Sequence, residues 1–486
     1  MNTNLSGLKP EAIWKNFELL TRIPRPSKKE GRIIQFMKEF GEKLRLETIV
    51  DEVGNVIIRK PATPGMEDRK GIILQGHLDM VPQANSDKQF NFETDPIEAY
   101  VDGEWVTANG TTLGADNGMG VAAAMAVLEA GDLVHGPVEA LFTVDEETGM
   151  TGAFNLKPGL LKGDILLNMD SEDEGELYIG CAGGVNANVT YEYEEMAANE
   201  NSVGFRVMLS GMKGGHSGID IPLYRANANK LLFRFLKKAS VELCVRIAEV
   251  EAGSLRNAIP REAWAILAVD KDKVEALKTL LADFEKTVKN EYKTADPDLK
   301  VTFEIVDLPK KVMNEMAQQD LIHAVYACPN GVIRMSNDME GLVETSTNMA
   351  IVTVKNGVAI VKNLLRSSVD SAKHDLGETV KSVFELAGAK VELTGDYPGW
   401  KPNPDSPILK EMLEIYNNKF GKVPEIKAIH AGLECGLLGG VYPQWDMISF
   451  GPTIRHPHSP DEKVHIGSVE KFWDFLVETL KHVPKK

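Results

Sequence analysis

The chain has 486 residues, 43% of them hydrophobic and 26% charged, which is ample apolar material for a sizeable core and a length that suits two to four domain-sized units. Its 71 acidic and 54 basic side chains leave a formal net charge of −17; such a surface repels a nucleic-acid duplex or an anionic membrane, so neither is an expected partner, whereas divalent cations suit it. The N-terminal stretch has no basic segment followed by an apolar one, the longest apolar runs (residues 121–128) are too short to span a bilayer, and Cys181, Cys244, Cys328 and Cys435 are scattered without CxxC spacing, so a reducing cytoplasm is the expected setting.

Taken in chain order, KEGRIIQFMKEFGEKL has helical apolar spacing, and GNVIIRK and KGIILQG are short strand-like runs. NGMGVAAAMAVLEAG reads as a helix closed by Gly131, and VEALFTV and DILLNM read as buried strands. This alternation predicts an α/β layer architecture with a mixed, largely parallel sheet. After IGCAGGVNA the texture changes. Strand, helix, two strands and helix follow, and a similar series then opens at VTFEIVD and runs to KVELTG, which suggests an α+β insert of two similar halves. The α/β style returns near Trp400 after the Pro- and Gly-rich YPGWKPNPDSP. The expected division is a discontinuous first domain, 1–185 and 401–486, interrupted by a lid-like insert at 186–400.

Polar clusters directly follow the apolar runs. GIILQ leads to His77 and Asp79, ALFTV to Asp145, Glu146 and Glu147, ILLNM to Asp170, and MISF to His456 and His458, while Asp116 opens a helix. Open α/β sheets collect ligands at the carboxyl ends of their strands, so parallel pairing brings these segments to one rim. Imidazole and carboxylate together suit Zn²⁺, Mn²⁺ or Co²⁺. Two metals about 3.5–4 Å apart, bridged by one carboxylate, activate a water between them. A further carboxylate then takes the water's proton. Consecutive strand residues face opposite ways, so Glu146 and Glu147 share a site only if the chain turns at once, as the following TGM suggests.

GHLDMV, TLGADNGMG, VDEETGM, NMDSEDEG, GGHSG, RNAIP and HSPDE, in this order, resemble the aminoacyl-histidine dipeptidases, within the di-zinc exopeptidases that include aminoacylases and carnosinases. The resemblance covers essentially the whole chain. It implies His77 and Asp170 on one zinc, Glu147 and His458 on the other, and Asp116 bridging them. It implies Glu146 as the general base and Asp79 as the partner that orients His77, with a cis Asp116–Asn117 peptide. In the insert, it implies that His216 stabilises the oxyanion, that Asn257 binds the same region, that Arg366 holds the substrate carboxylate, and that Gly432 lines the pocket. The expected activity is hydrolysis of dipeptides, Xaa-His preferred, with Co²⁺ or Mn²⁺ as substitutes for zinc. An N-acyl amino acid deacylase on the same scaffold and a non-catalytic binding protein are the alternatives. The doubled insert permits either a homodimer through the lid or a single chain that imitates one.

Overall fold

The computed structural model describes Leu5 and residues 7–486. The chain divides into two compact units. The first contains the residues through Gly180, Pro402–Ala428 and Leu433–Lys486; the second contains Cys181–Lys401 and the short return Ile429–Gly432.

The first unit is built on an eight-stranded mixed sheet. Its centre is four mutually parallel strands in the order Val138–Thr143, Ile72–His77, Ile165–Asn168 and Asp446–Ser449. Every residue of the first three is buried, as expected where both faces of a parallel sheet are covered. The helix Ala115–Glu129 is apolar on all sides and almost wholly buried. Gly118 costs this helix about 1 kcal/mol of propensity relative to Ala, yet a Cβ there would lie 2.8 Å from the Phe17 ring, so close packing against the helix Glu11–Thr21 requires the glycine. The expected stop at Gly131 is corrected: the helix ends at Glu129, Ala130 turns extended at φ −63°, ψ 133°, and Gly131 is not among the left-handed glycines. The extended Ala130 ends the helix without a left-handed residue. By contrast, Pro407–Phe420 follows its local signals, with the Ser406 side chain accepting from the Leu409 N–H, Pro407 in the first turn, and Gly421 left-handed at its end.

The second unit is built on an antiparallel sheet of nine strands with helices against it, eight in one row and the ninth, Gly331–Met335, paired beside them with Val343–Lys355. From one edge the order is Lys300–Val306, Ser202–Ser210, Ala263–Asp270 and Arg246–Ala252, then Val343–Lys355, Val358–Ser367, Gly183–Glu192 and Lys390–Tyr397. Each half has the strand order 4-1-3-2 of a β-α-β-β-α-β unit. VTFEIVD is therefore not the start of the second half, as its sequence position suggested; it closes the first half, pairing with Ser202–Ser210. The second half takes its opening strand from Gly183–Glu192, which precedes the whole first half in sequence. One half is thus nested inside the other. Apolar faces of the helices Ala228–Leu243 and Val274–Glu291 form the core with the sheet, with Phe235 and Phe284 ring centroids 5.5 Å apart.

Candidate metal centre

Three of the four central parallel strands end at one rim of the first unit and release their polar residues there. His77 is the last residue of its strand. After Val138–Thr143 the chain reverses through Asp145, left-handed at φ 55°, into the short helix Glu146–Gly149. Asp145 is buried and accepts the Thr148 and Thr151 hydroxyls, so it stabilises the turn. Asp170 follows Ile165–Asn168, and Asp116 lies in the first turn of Ala115–Glu129. The Asp116–Asn117 peptide is cis. Asn117 donates its side-chain amide to the Met169 carbonyl at 2.7 Å, and a Cβ on Gly76 would collide with its Oδ1 at 2.2 Å, so the glycine opens the space that Asn117 fills.

The carboxylate of Asp116 divides between two clusters. Its Oδ1 lies 3.0 Å from His77 Nε2, and its Oδ2 lies 3.2 Å from His458 Nε2. His77 Nε2 is also 3.4 Å from Asp170 Oδ1, and His458 Nε2 is 2.9 Å from Glu147 Oε2. In each of the two triads, His77–Asp116–Asp170 and Asp116–Glu147–His458, the donor atoms lie within 4.8 Å of one another. His456 belongs to neither triad, which separates it from His458. The first triad is enclosed, with His77 1% exposed; the second opens to solvent at His458, 51% exposed.

Asp79 contacts more than His77. Its Oδ1 is 3.3 Å from His77 Nδ1, whose other neighbour is the Asp79 carbonyl at 3.2 Å. Placing the imidazole proton on Nδ1 leaves the Nε2 lone pair facing the carboxylates. Asp79 also accepts the backbone N–H groups of Glu146 at 3.0 Å and Glu147 at 3.2 Å, and the Ser27 hydroxyl at 2.8 Å. One carboxylate thus fixes the turn that presents both glutamates. Burial alone would raise the pKa of Asp79, but His77 and these donors hold it at about 2.

The donor set fits cations. Glu147 Oε1 and Asp170 Oδ1 are buried with no hydrogen-bond partner among the described residues. Without positive charge the acids disfavour one another: burial and then the Asp116 and Glu147 charges push Asp170 up to about 7, although His77 opposes this. His458, bonded to Asp116 and Glu147, rises to about 11. Burial would lower His77, but Asp170 and Asp116 raise it well above the ordinary imidazole range. Protons occupy the positions that divalent cations satisfy better. Burial raises Glu146 well above the usual carboxylate range, with Asp170, Glu434 and Glu147 adding to the effect.

In the second unit, His216 and Asn257 are brought together by a two-residue ladder, Gly215–His216 against Ala258–Ile259, and Ser217 N–H donates to the Asn257 carbonyl at 2.8 Å. His216 Nδ1 accepts the N–H groups of Gly218 (3.2 Å) and Ile219 (3.1 Å), so its proton resides on Nε2. Burial and the Arg366 charge lower its pKa, which keeps the ring neutral. Arg366 is 5% exposed, in the middle of the sheet, and donates to Tyr397 Oη at 3.2 Å. Gly432 is half-buried in the return Ile429–Gly432, whose His430 Nε2 lies 2.7 Å from Ser346 Oγ.

Four residues escaped the sequence reading. Glu434 is buried, accepts Gln75 Nε2 and Thr143 Oγ1 at 2.7 Å each, and is pushed up to about 7, chiefly by burial. An acid inside the apolar HAGLECGLLGG was its only signal. His430 is lowered to about 3 by burial and the Arg366 charge. Arg25 and Glu462 are both buried at 2% exposure and act on backbone groups, which carry no side-chain signature.

Fold and donor set together define a metal-dependent hydrolase of the α/β type. The chain belongs to peptidase family M20/M25/M40, whose model matches residues 73–482; this is a family of metal-dependent peptidases. It is 46% identical over 484 residues to the cytosol non-specific dipeptidase of Escherichia coli (strain K12), covering 100% of both chains. It is also similar to the crystal structure of aminoacylhistidine dipeptidase from Vibrio alginolyticus, with 48% identity, 99% of each chain covered and a TM-score of 0.94. The aminopeptidase PepT structure from Bacillus cereus, at 15% identity and a TM-score of 0.58 over 98% of this chain and 99% of that one, is a likeness of fold alone. Among the described residues no helix is long and apolar enough to cross a membrane.

Proposed function

We propose that the protein is a cytoplasmic metallo-exopeptidase that hydrolyses dipeptides and prefers Xaa-His substrates. The observation that carries this reading is the division of the Asp116 carboxylate between the His77–Asp170 and Glu147–His458 clusters, in a chain related over its full length to two named dipeptidases. In this reading His77 and Asp170 would hold one zinc and Glu147 and His458 the other, with Asp116 shared between them; Co²⁺ or Mn²⁺ would be substitutes. When bound, such a pair supplies Lewis-acid polarisation and lowers the pKa of water.

The remaining work belongs to the chain. Glu146 accepts the proton of the attacking water and passes it to the departing amine; its raised pKa suits a group that must both take and release a proton. Its carboxylate accepts no hydrogen bond among the described residues, so it is free for this exchange. Asp79 holds Glu146 by its backbone and His77 by its ring. His216, neutral with its proton on Nε2, donates to the developing oxyanion, and Asn257 binds the same region. Arg366 grips the substrate's free carboxylate with its planar fork, and the small Gly432 leaves room for the substrate. The name of the Escherichia coli relative and the scattered cysteines support the cytoplasmic setting.

The deciding experiment measures kcat/KM for β-alanyl-histidine, other Xaa-His and non-histidine dipeptides, and N-acetyl amino acids. Dipeptides are expected to lead N-acetyl amino acids by at least about tenfold, or ~1.4 kcal/mol. A preference for the N-acetyl compounds overturns the dipeptidase reading in favour of a deacylase, and equal rates on all dipeptides remove the histidine preference alone.

A further inference from the structure

The segment Leu113–Asp116 enters the helix Ala115–Glu129, so its N–H groups have no partner within the helix. A single buried carboxylate takes all four. Glu462 Oε2 accepts from Leu113 at 2.7 Å and Gly114 at 2.9 Å, and Oε1 accepts from Ala115 at 2.7 Å and Asp116 at 3.2 Å. From the opposite side, Arg25 takes the carbonyls: Nη2 donates to Gly114 O at 2.5 Å, and Nη1 to Leu78 O at 2.9 Å and Asp79 O at 3.0 Å. Two glycines make the space. A Cβ on Gly114, itself left-handed at φ 72°, would lie 2.6 Å from Arg25 Nη2, and one on Gly118 would lie 2.7 Å from it.

These contacts join three ligand-bearing segments. Glu462 lies four residues after His458 and grips the backbone at Asp116. Arg25 joins that same loop to the segment between His77 and Asp79. Arg25, Glu462 and the backbone groups they hold belong to buried residues, apart from the partly buried Asp116, so neither charge is released to water without leaving backbone groups unpaired.

We propose that Glu462 and Arg25 are positioning residues that hold Asp116 between the two clusters by its backbone, and so set the affinity with which the cation pair is held. The proposal rests on the reading of Asp116, His77 and His458 as metal ligands. Glu462→Gln keeps size but turns one acceptor oxygen into a donor facing backbone N–H groups. Arg25→Lys keeps charge but loses the fork that reaches three carbonyls.

The test is competitive zinc titration of the chelator-stripped full chain, with thermal unfolding of the same metal-free samples. Each variant is expected to bind zinc about 10–100-fold more weakly than the parent, as loss of a ligand-orienting group does. Dipeptide KM should remain near the parent value, and kcat should recover in excess zinc. Parent-like zinc affinity in either folded variant overturns the proposal, including where the metal-free Tm has fallen, since that marks a role in folding only. If Glu462→Gln does not fold, Arg25→Lys decides by the same criterion. His458→Ala runs in parallel. If it also retains both zincs, the ligand reading fails; if it loses one while Glu462→Gln and Arg25→Lys bind both as the parent does, the positioning proposal alone fails.

Discussion

In the first unit the polar side chains leave from the ends of parallel strands, from the first turn of a helix or, for His458, from the turn after Ile454–Arg455, and they converge until imidazole and carboxylate atoms lie 2.9–3.4 Å apart. In the second unit His216 sits on a two-residue ladder and Asn257 directly beside it, while Arg366 lies within a ten-residue antiparallel strand and its side chain donates to Tyr397 through Nη1. Parallel strands send their carboxyl ends the same way, so residues distant in sequence accumulate at one rim. An antiparallel sheet alternates direction and spreads its polar groups over loops and faces. The contrast suits the first unit to concentrated charge and the second to single, separately placed hydrogen-bond donors.

Four substitutions test that division of labour. Glu146→Gln in the first unit should lower kcat about 10²–10⁴-fold, the usual contribution of a general base, while zinc content by elemental analysis stays at the parent level. A variant that turns over dipeptides at the parent rate removes Glu146 from the mechanism. His216→Ala in the second unit should cost roughly 10²–10³-fold in kcat, the scale of one oxyanion donor, again with zinc retained. Loss of zinc in this variant would break the separation between the units.

Arg366→Lys should act on binding more than on turnover. Replacing a bidentate fork by a point charge is expected to raise KM about 10–100-fold, or ~1.5–3 kcal/mol, with a smaller change in kcat. Equal effects on a C-terminally amidated dipeptide would show that Arg366 does not read the carboxylate.

The smallest effect concerns Glu434. Its folded pKa, about 7, stands above the ordinary 4.5. Between these values the folded state holds a proton that the unfolded state has lost, so stability falls as pH rises from about 4.5 to 7 and stays lower above that. In chelator-treated protein, Glu434→Gln removes this penalty, and its Tm relative to the parent should be several degrees more favourable at pH 8 than at pH 5. A pH-independent difference would show that burial of this acid carries no proton linkage.

Much of this site is legible in the sequence. The apolar runs ending at His77, Thr143 and Asn168 are the strands, and the acids and histidine that follow them do reach one rim. The turn required for Glu146 and Glu147 exists at Asp145. The choice between His456 and His458 came from family likeness, because two histidines two residues apart in a loop are equivalent by spacing alone. The nesting of the insert was not legible. The strands Gly183–Glu192 and Lys300–Val306 have similar strand-like texture, and only long-range pairing reveals which half each one joins.

By itself, then, the sequence determined the strand and helix segments, the capped start and glycine stop of Pro407–Phe420, and the set of metal-type side chains, because periodicity, capping and ligand chemistry are properties of residue types near one another in the chain. Tertiary structure decided where the helix after Asp116 ends, how the insert's halves interleave, and that Asp79 holds the Glu146–Glu147 backbone as well as His77. It also decided the work of Arg25 and Glu462, whose partners are main-chain groups up to 349 residues away. Every residue but proline offers the same N–H and every residue the same C=O, so which of them a buried charge will meet is written only in the folded chain.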